Sequence, residues 1–258
     1  MASSDERKPG VLIAYDAMAV PGQTLTLTAD LVEEGFLTHA PLGGEVLLFQ
    51  HRGGTLGRTM TGGDGRALLS FVPRATGVEK VTVRVVDSRR VFAPETTAKI
   101  FVWDRRRPVV IVSLPTLAPP ARRDFPLPGS SDQHPGPEGG AVQALLTLAR
   151  RANLVYVTPR DRLELPEVRQ WTDQHRLPAG PVFPLRPSPH RLASELETWR
   201  REGWANIKGG IVGTAEEAKA LVEKGLKAVV PPTASSKEKW PEKTVTTADW
   251  NEVIKQLT

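Results

Sequence analysis

The hydrophobic rhythm of the chain changes once, near residue 104, and that change limits the folds open to it. Before it, apolar residues recur at every second position in short runs. Thr24-Leu25-Thr26-Leu27-Thr28-Ala29-Asp30-Leu31 alternates polar and apolar, and Val81, Val83 and Val85 alternate with Thr82 and Arg84. A period of two puts alternate side chains on opposite faces, so each run describes a strand with one buried face. Residues 45–50 and 67–72 read as further short strands. Turn formers separate them: Pro21-Gly22, Gly43-Gly44, Gly53-Gly54 and Gly62-Gly63-Asp64-Gly65. No helical period interrupts the pattern. About seven short strands over residues 10–103 predict an all-β antiparallel sandwich.

Beyond residue 104, continuous apolar runs alternate with helical patterns. Residues 109–112, VVIV, are apolar throughout, as expected of a strand covered on both faces. Residues 141–152 read as an amphipathic helix with Val142, Leu145, Leu146 and Ala149 on one face. A strand at 154–157, a helix at 167–175 and a short strand at 181–185 follow. Then come a helix at 191–202, carrying Leu192, Leu196 and Trp199, and a strand at 207–212. Thr214 with Glu217 three residues on forms a capping box for a helix at 215–224. A strand at 226–230 and a last helix, opened by Asp249 and running through Leu257, complete the series. This alternation predicts a three-layer α/β domain over residues 104–258, with helices on both faces of an open parallel sheet. Residues 118–140 hold six prolines and four glycines and form no core element. A long loop directly after the first strand lies above the strand C-termini, where such folds place ligands.

Composition removes several classes of chemistry. The chain has no cysteine, which excludes disulfides, thiolate metal sites and cysteine nucleophiles and fits a reducing compartment. MASSDERKPG at the N-terminus lacks the apolar stretch of a signal peptide, and no apolar run approaches the roughly 18–20 residues of a membrane span. A cytoplasmic location is the expectation. Net charge is +5, yet residues 1–103 carry 11 Lys/Arg and 11 Asp/Glu, so the whole excess lies in the second half. Arg105, Arg106, Arg107, Arg122 and Arg123 form a candidate basic patch for a phosphate group, an anionic lipid or nucleic acid. A solvated basic face that aids solubility is the competing reading. Nucleic acid is not expected, because no basic–aromatic interleaving accompanies the arginines. His39 and His51 are isolated and read as surface or strand residues rather than metal ligands. Trp171, Trp199 and Trp204 are core candidates, while Trp240 and Trp250 suit packing of the C-terminal tail or an interface.

Two resemblances refine this reading. TGGDGRALLSFVPRATGVEKVTVRV, residues 61–85, resembles bacterial immunoglobulin-like and prealbumin-like modules, with an Asp-Gly turn, a strand, then Pro and Gly before the next strand. It implies an immunoglobulin-like sandwich and a possible protein partner. Residues 108–232 resemble the haloacid dehalogenase (HAD) superfamily, and more narrowly the LNS2 domains of lipins and phosphatidylinositol-transfer proteins. The stretches that carry this are VVIVSLPTL, HPGPEGGAVQALLTLARRANLVYVTPRD, LPAGPVFPL and NIKGGIVGTAEEAKALVEKGLKAVV.

Active members of that superfamily end the first strand in D-x-D-x-T. The first Asp attacks phosphorus, the second moves the proton, and both help to hold Mg²⁺ with an acid from a fourth motif. Phosphoryl transfer needs each part: an in-line nucleophile, a cation against oxygen charge and a proton shuttle. Here Ser113 stands at the nucleophile position, Pro115 near the acid/base position, and Thr116 arrives one residue early. The fourth motif reads Gly213-Thr214-Ala215-Glu216-Glu217; either Glu216 or Glu217 pointing at the site is one reading, and both serving the first turn of a helix, where acids favour the dipole, is the preferred one. The resemblance therefore implies a pseudophosphatase: no catalytic residue, no metal site, no Mg²⁺ and no other cofactor. Its phosphate-holding positions map onto Ser113, Thr116, Thr158, Arg160, Lys208 and Thr214. Some phosphatidylinositol-transfer LNS2 domains also carry serine at the first position and sense phosphatidic acid, which implies a phosphorylated small molecule or anionic lipid head group as ligand. The expectation is a non-catalytic binding or scaffolding protein. The alternatives are a phosphatidate-type phosphatase recruiting Asp161 or Asp124, and a basic-patch binder of membrane or nucleic acid.

Overall fold

The computed structural model describes residues 7–35, 39–118, 136–185, 191–234 and 238–258. The chain forms two compact units, Met1–Asp104 and Arg105–Thr258.

Unit 1 consists of two facing sheets. Its strands are β1 (Lys8–Ala14), β2 (Ala17–Ala19), β3 (Leu25–Glu33), β4 (Val46–His51), β5 (Gly54–Met60), β6 (Arg66–Phe71), β7 (Gly77–Val86), β8 (Val91–Phe92) and β9 (Thr96–Val102). One sheet has the order β6-β3-β1-β8 and the other β2-β9-β7-β4-β5. Alternation in the sequence becomes the core directly: Leu27, Ala29 and Leu31 of β3 meet Leu47 and Phe49 of β4 and Val81 and Val83 of β7. Two short pairings, β1 with β8 and β2 with β9, are parallel, so the sandwich is mixed rather than purely antiparallel. These strands are two or three residues long and carry too little alternation to be seen as strands in the sequence.

Outside the core, Asp30 is buried yet fully engaged. Tyr15 Oη donates to its Oδ2 at 2.7 Å and Arg66 Nε to its Oδ1 at 3.0 Å, so the carboxylate is compensated where it leaves water. The Asp64-Gly65 turn feeds β6, and Gly65 has φ +75° with its carbonyl accepting from Leu31 N–H at 2.8 Å. A Cβ there would lie 2.5 Å from the Leu31 carbonyl oxygen.

Unit 2 is built on one six-stranded parallel sheet: β10 (Val109–Ser113), β11 (Asn153–Thr158), β12 (Val182–Pro184), β13 (Ile207–Ile211), β14 (Lys227–Val230) and β15 (Thr244–Thr246). The order is β12-β11-β10-β13-β14-β15. The apolar run of β10 is buried along its whole length, as a central strand must be. Among the described residues five α-helices flank the sheet: α1 (Ala141–Ala149), α2 (Leu165–Gln174), α3 (Arg191–Arg201), α4 (Ala215–Glu223) and α5 (Trp250–Leu257). α1 packs on α5, and α3 packs on α4.

Several elements depart from expectation. α1 ends at Ala149, and it buries Ala141, Ala144, Leu145 and Leu148 while Leu146 is exposed. The apolar face is therefore rotated from the Val142–Leu146–Ala149 stripe. α2 starts at Leu165, where Pro166 in the first turn sets a helical φ and needs no N–H partner. Counting along unit 2, the strand order reverses between β10 and β13, the switch point outside which open α/β sheets leave a crevice.

Replacing Gly65 by Ala is expected to destabilise the protein by about 2 kcal/mol or more, combining a left-handed backbone with a clash on Leu31. A urea midpoint lowered at unchanged slope would register it.

Candidate functional site

The ends of β10 and β13 meet at the switch point. Ser113 closes β10 and is followed by the 3-10 turn Leu114–Leu117 with Pro115 in its first positions. Thr116 is fully buried, and its Oγ1 donates to the Ser113 carbonyl at 2.6 Å. Thr233 donates from Oγ1 to the Thr116 carbonyl. The turn after the strand is thus closed by side-chain hydroxyls acting on its own carbonyls.

Ser113 itself is 2% exposed, and its Oγ donates to Glu217 Oε1 at 2.7 Å. Glu217 belongs to the first turn of α4, and its other oxygen accepts from Gly213 N–H at 2.8 Å. Thr214 caps α4, its Oγ1 accepting from Glu217 N–H at 3.2 Å. A second carboxylate, Glu238, accepts from Ala215 N–H at 2.7 Å. Helix N-termini carry unpaired N–H groups and a positive partial charge, which makes them anion sites. At α4 the chain fills that site with its own carboxylates.

Burial pushes the Glu217 carboxyl above its ordinary value of 4.5. Hydrogen bonds from Gly213, Ser113 and Thr214 pull it down, and the neighbouring Glu238 charge pushes it up further. The neutral acid fits the same geometry once the serine hydroxyl turns, with a carboxyl proton pointing at Ser113 Oγ.

The other expected site residues divide into two groups. Thr158 is close: β10 and β11 pair Ser113 with Val157, and Thr158 follows, 3% exposed, accepting from Arg160 N–H at 3.2 Å. Arg160 pairs with Glu164 four residues on. Lys208 is a correction. It sits at the start of β13, near the level of Val109, because Val109 pairs with Ile207 and Val112 with Ile211. That places it roughly 10–15 Å along the strands from Ser113, at the opposite end of the sheet and exposed.

The arginines of the basic patch also make contacts within unit 2. Arg105 donates to the Glu202 carbonyl just past α3 and lies 5.9 Å over the Trp204 ring. Gly203 leaves room for it, since a Cβ there would lie 2.6 Å from Arg105 Cζ. Arg107 donates to the carbonyl of Ala149, the last residue of α1, and to that of Ala152 beyond it. The Arg106 carbonyl accepts from Asn206 Nδ2 at 2.7 Å. Arg105 and Arg107 thus each donate to a carbonyl at a helix C-terminus, and Arg106 and Arg107 are exposed. Arg122, Arg123 and Asp124 lie outside the described residues. Asp161 caps a 3-10 turn, Arg162–Glu164, accepting from Leu163 N–H in a complete capping box, so its carboxylate is engaged locally.

The residue that sequence reasoning underused is Glu217. Its capping position was visible, and of the two readings left for Glu216 and Glu217 the structure has both: Glu217 lies in the first turn of α4 and its carboxylate turns back onto the strand end. Glu238 had no signal at all, lying in irregular chain between β14 and β15.

The donor set does not fit Mg²⁺. A hard cation needs several oxygen ligands, whereas one carboxylate faces Ser113 and both its oxygens already accept hydrogen bonds. Among the described residues no group of three or more His, Cys, Asp or Glu could hold a metal ion. Among them, too, no helix is long and apolar enough to cross a membrane.

No protein-family profile matches the chain, and no curated protein does. Among solved structures it is similar to the D,D-heptose 1,7-bisphosphate phosphatase of B. bronchiseptica, complexed with magnesium and phosphate, at 16% identity over 58% of this chain and 97% of that one, TM-score 0.42. It is also similar to the fibronectin(III)-like modules of Clostridium thermocellum CbhA, at 15% identity over 37% of this chain and 47% of that one, TM-score 0.27. A third likeness is to the CARDB domain of the PF1109 protein of Pyrococcus furiosus, at 13% identity over 40% and 95%, TM-score 0.27. The chain spans under half the length of the CbhA structure that it matches.

Two outcomes follow from the geometry. A carboxyl whose pKa is raised on folding holds its proton more tightly in the folded state. Its contribution is therefore full below about pH 4.5 and is lost as pH rises to the raised folded value, by at most about 1.4 kcal/mol per pH unit. Glu217→Gln keeps an acceptor for Gly213 and places an amide donor toward Ser113. The difference in stability between wild type and Glu217→Gln should therefore move in favour of the variant above pH 4.5. Taking the difference cancels Glu195 and Glu202, which burial also raises. Secondly, Arg107→Ala should lower stability by about 1–2 kcal/mol through the uncapped α1 carbonyls, as read by urea denaturation.

Proposed function

We infer that unit 2 is a HAD-like domain of the LNS2 type that has lost phosphoryl-transfer chemistry, joined to an immunoglobulin-like unit 1. The whole acts as a cytoplasmic, non-catalytic binding or scaffolding protein. One observation carries this reading: the position of the attacking carboxylate is held by Ser113, buried and hydrogen-bonded to Glu217. A serine nucleophile needs a base that takes its proton and an open line of attack. Among the described residues Glu217 is the one group that accepts from Ser113 Oγ, and it is already tied to Gly213 N–H through its other oxygen, while burial of Ser113 opposes the second. Pro115 supplies no acid or base. The phosphatase alternative loses support as well, because the Asp161 carboxylate is committed to a local turn.

The proposed ligand is a phosphate-bearing small molecule or an anionic head group, bound at the Ser113 end of the sheet. Such an anion competes with Glu217 for Ser113 Oγ and Gly213 N–H. Protonation of Glu217 removes the charge repulsion, so binding is stronger at lower pH. Unit 1 is proposed to meet a protein partner.

The test is hydrolysis of p-nitrophenyl phosphate and of phosphatidate in mixed vesicles with Mg²⁺ present. The expected rate equals that of the protein-free blank. Mg²⁺-dependent turnover that disappears in Asp161→Asn or Asp124→Asn would overturn the reading.

A further inference from the structure

The geometry points to a docking face for an anionic phospholipid bilayer on unit 2, at the end of the sheet where the strands begin, opposite Ser113. It does not rest on the function proposed for the Ser113 end. In an open parallel sheet the crossover helices run back, so strand starts and helix C-termini share one end. Arg107 lies just before β10, Arg150 and Arg151 follow α1, Lys208 is the second residue of β13, Lys227 opens β14 and Arg200 lies in the last turn of α3. All six are exposed. β11, β10, β13 and β14 are consecutive in the sheet, so their starts span roughly 15 Å, and the helix ends add Arg150, Arg151 and Arg200 around that row.

The contacts these cations make inside the unit leave their charge in place. Arg107 donates to the carbonyls of Ala149 and Ala152, Lys227 to that of Gln256 and Arg200 to that of Lys224. A carbonyl satisfies a donor without cancelling its charge. The carboxylate pairs near this end are Lys224 with Glu197 and Lys219 with Glu223, and among the described residues none of the six cations belongs to one. Glu202, just past α3, is an opposing charge. The other end of unit 2 is acidic: Glu216 and Glu217 open α4 with Glu238 beside them, and Asp249 and Glu252 open α5. Charge is thus separated along the strands, so an anionic plane attracts one end and repels the other.

Shape and composition favour a bilayer over nucleic acid. Three residues, 150–152, separate α1 from β11, and three, 224–226, separate α4 from β14, so these connections present no helix or ribbon to a groove. Trp204 is 3% exposed and lies beneath Arg105, and among the described residues of unit 2 the exposed large hydrophobics include no aromatic side chain. Bases therefore find no stacking platform. Attraction to an anionic bilayer needs neither device: it grows with each cation near the surface and falls away within a Debye length.

The test is flotation of the full chain with vesicles of phosphatidylcholine alone and of phosphatidylcholine with about 30% phosphatidylserine. Uptake on the anionic vesicles only, lost as salt is raised, is expected. Arg150→Ser, Arg151→Ser and Lys208→Ser should each weaken binding about fivefold, and all three together on the order of a hundredfold, with the thermal midpoint of unfolding unchanged. Lys239→Ser, next to Glu238 at the acidic end, should leave binding as it is. Lys208→Ser alone carries the test if the triple variant does not fold. No uptake on anionic vesicles, or uptake that these substitutions leave unchanged, would overturn the face. So would an RNA duplex that binds through the same three residues and strips the chain from the vesicles at equal phosphate concentration, which would make nucleic acid the partner.

Discussion

The first N–H groups of a helix have no partner within the helix, and when the helix begins inside a fold they must find acceptors or remain unsatisfied. At α4 this constraint decides the character of the switch point. Gly213 N–H goes to Glu217, Glu217 N–H to Thr214 Oγ1, and Ala215 N–H to Glu238. Ser113 is drawn into the same set through Glu217 Oε1. A bound phosphate would satisfy these donors equally well. Carboxylates from the chain satisfy them without a ligand, so the helix start is complete as the polypeptide folds.

The opposite end of unit 2 obeys the same electrostatics with the sign reversed. Arg105 reaches a carbonyl at the end of α3 and Arg107 one at the end of α1. Arg200 donates to the Lys224 carbonyl that closes α4, at 2.9 Å, and Lys227 to the Gln256 carbonyl in α5, at 2.6 Å. Cations at helix C-termini and anions at an N-terminus both complement the backbone dipoles. Several basic residues of the second half therefore also serve helix ends inside the unit.

How far the sequence exposed this depends on the range of each interaction. Period and composition are local, so VVIV was legible as the central strand, and the alternation around Leu27 and Val83 as sandwich core. The Thr214–Glu217 spacing was legible as a cap for the same reason. Lys208 was misplaced because the position of a residue along a strand depends on pairing register, here Val109 with Ile207, and register is a property of two segments. The local contacts of the arginine run were not legible because the acceptors, the carbonyls of Ala149 and Glu202, lie 42 and 97 residues away. Three-residue strands such as β15 are too short to show a period, and Glu238 reaches α4 from chain with no pattern at all.

On the proposed reading, restoring one aspartate does not restore the enzyme. A carboxylate at position 113 would meet Glu217 where a hydroxyl now donates at 2.7 Å. Two carboxylates that close cannot both ionise, so one proton would be shared between them. The Gly213 N–H and the buried surroundings would favour keeping the pair singly charged, which leaves a poor nucleophile and too little charge for a hard cation. Pro115 still offers no proton shuttle, and it sits in the turn that Thr116 and Thr233 close with their hydroxyls. On that reading the loss of chemistry is distributed over Ser113, Pro115 and Glu217 together, while the hydrogen bonds of Ser113, Thr116 and Glu217 hold the strand end, the turn and the helix start in register.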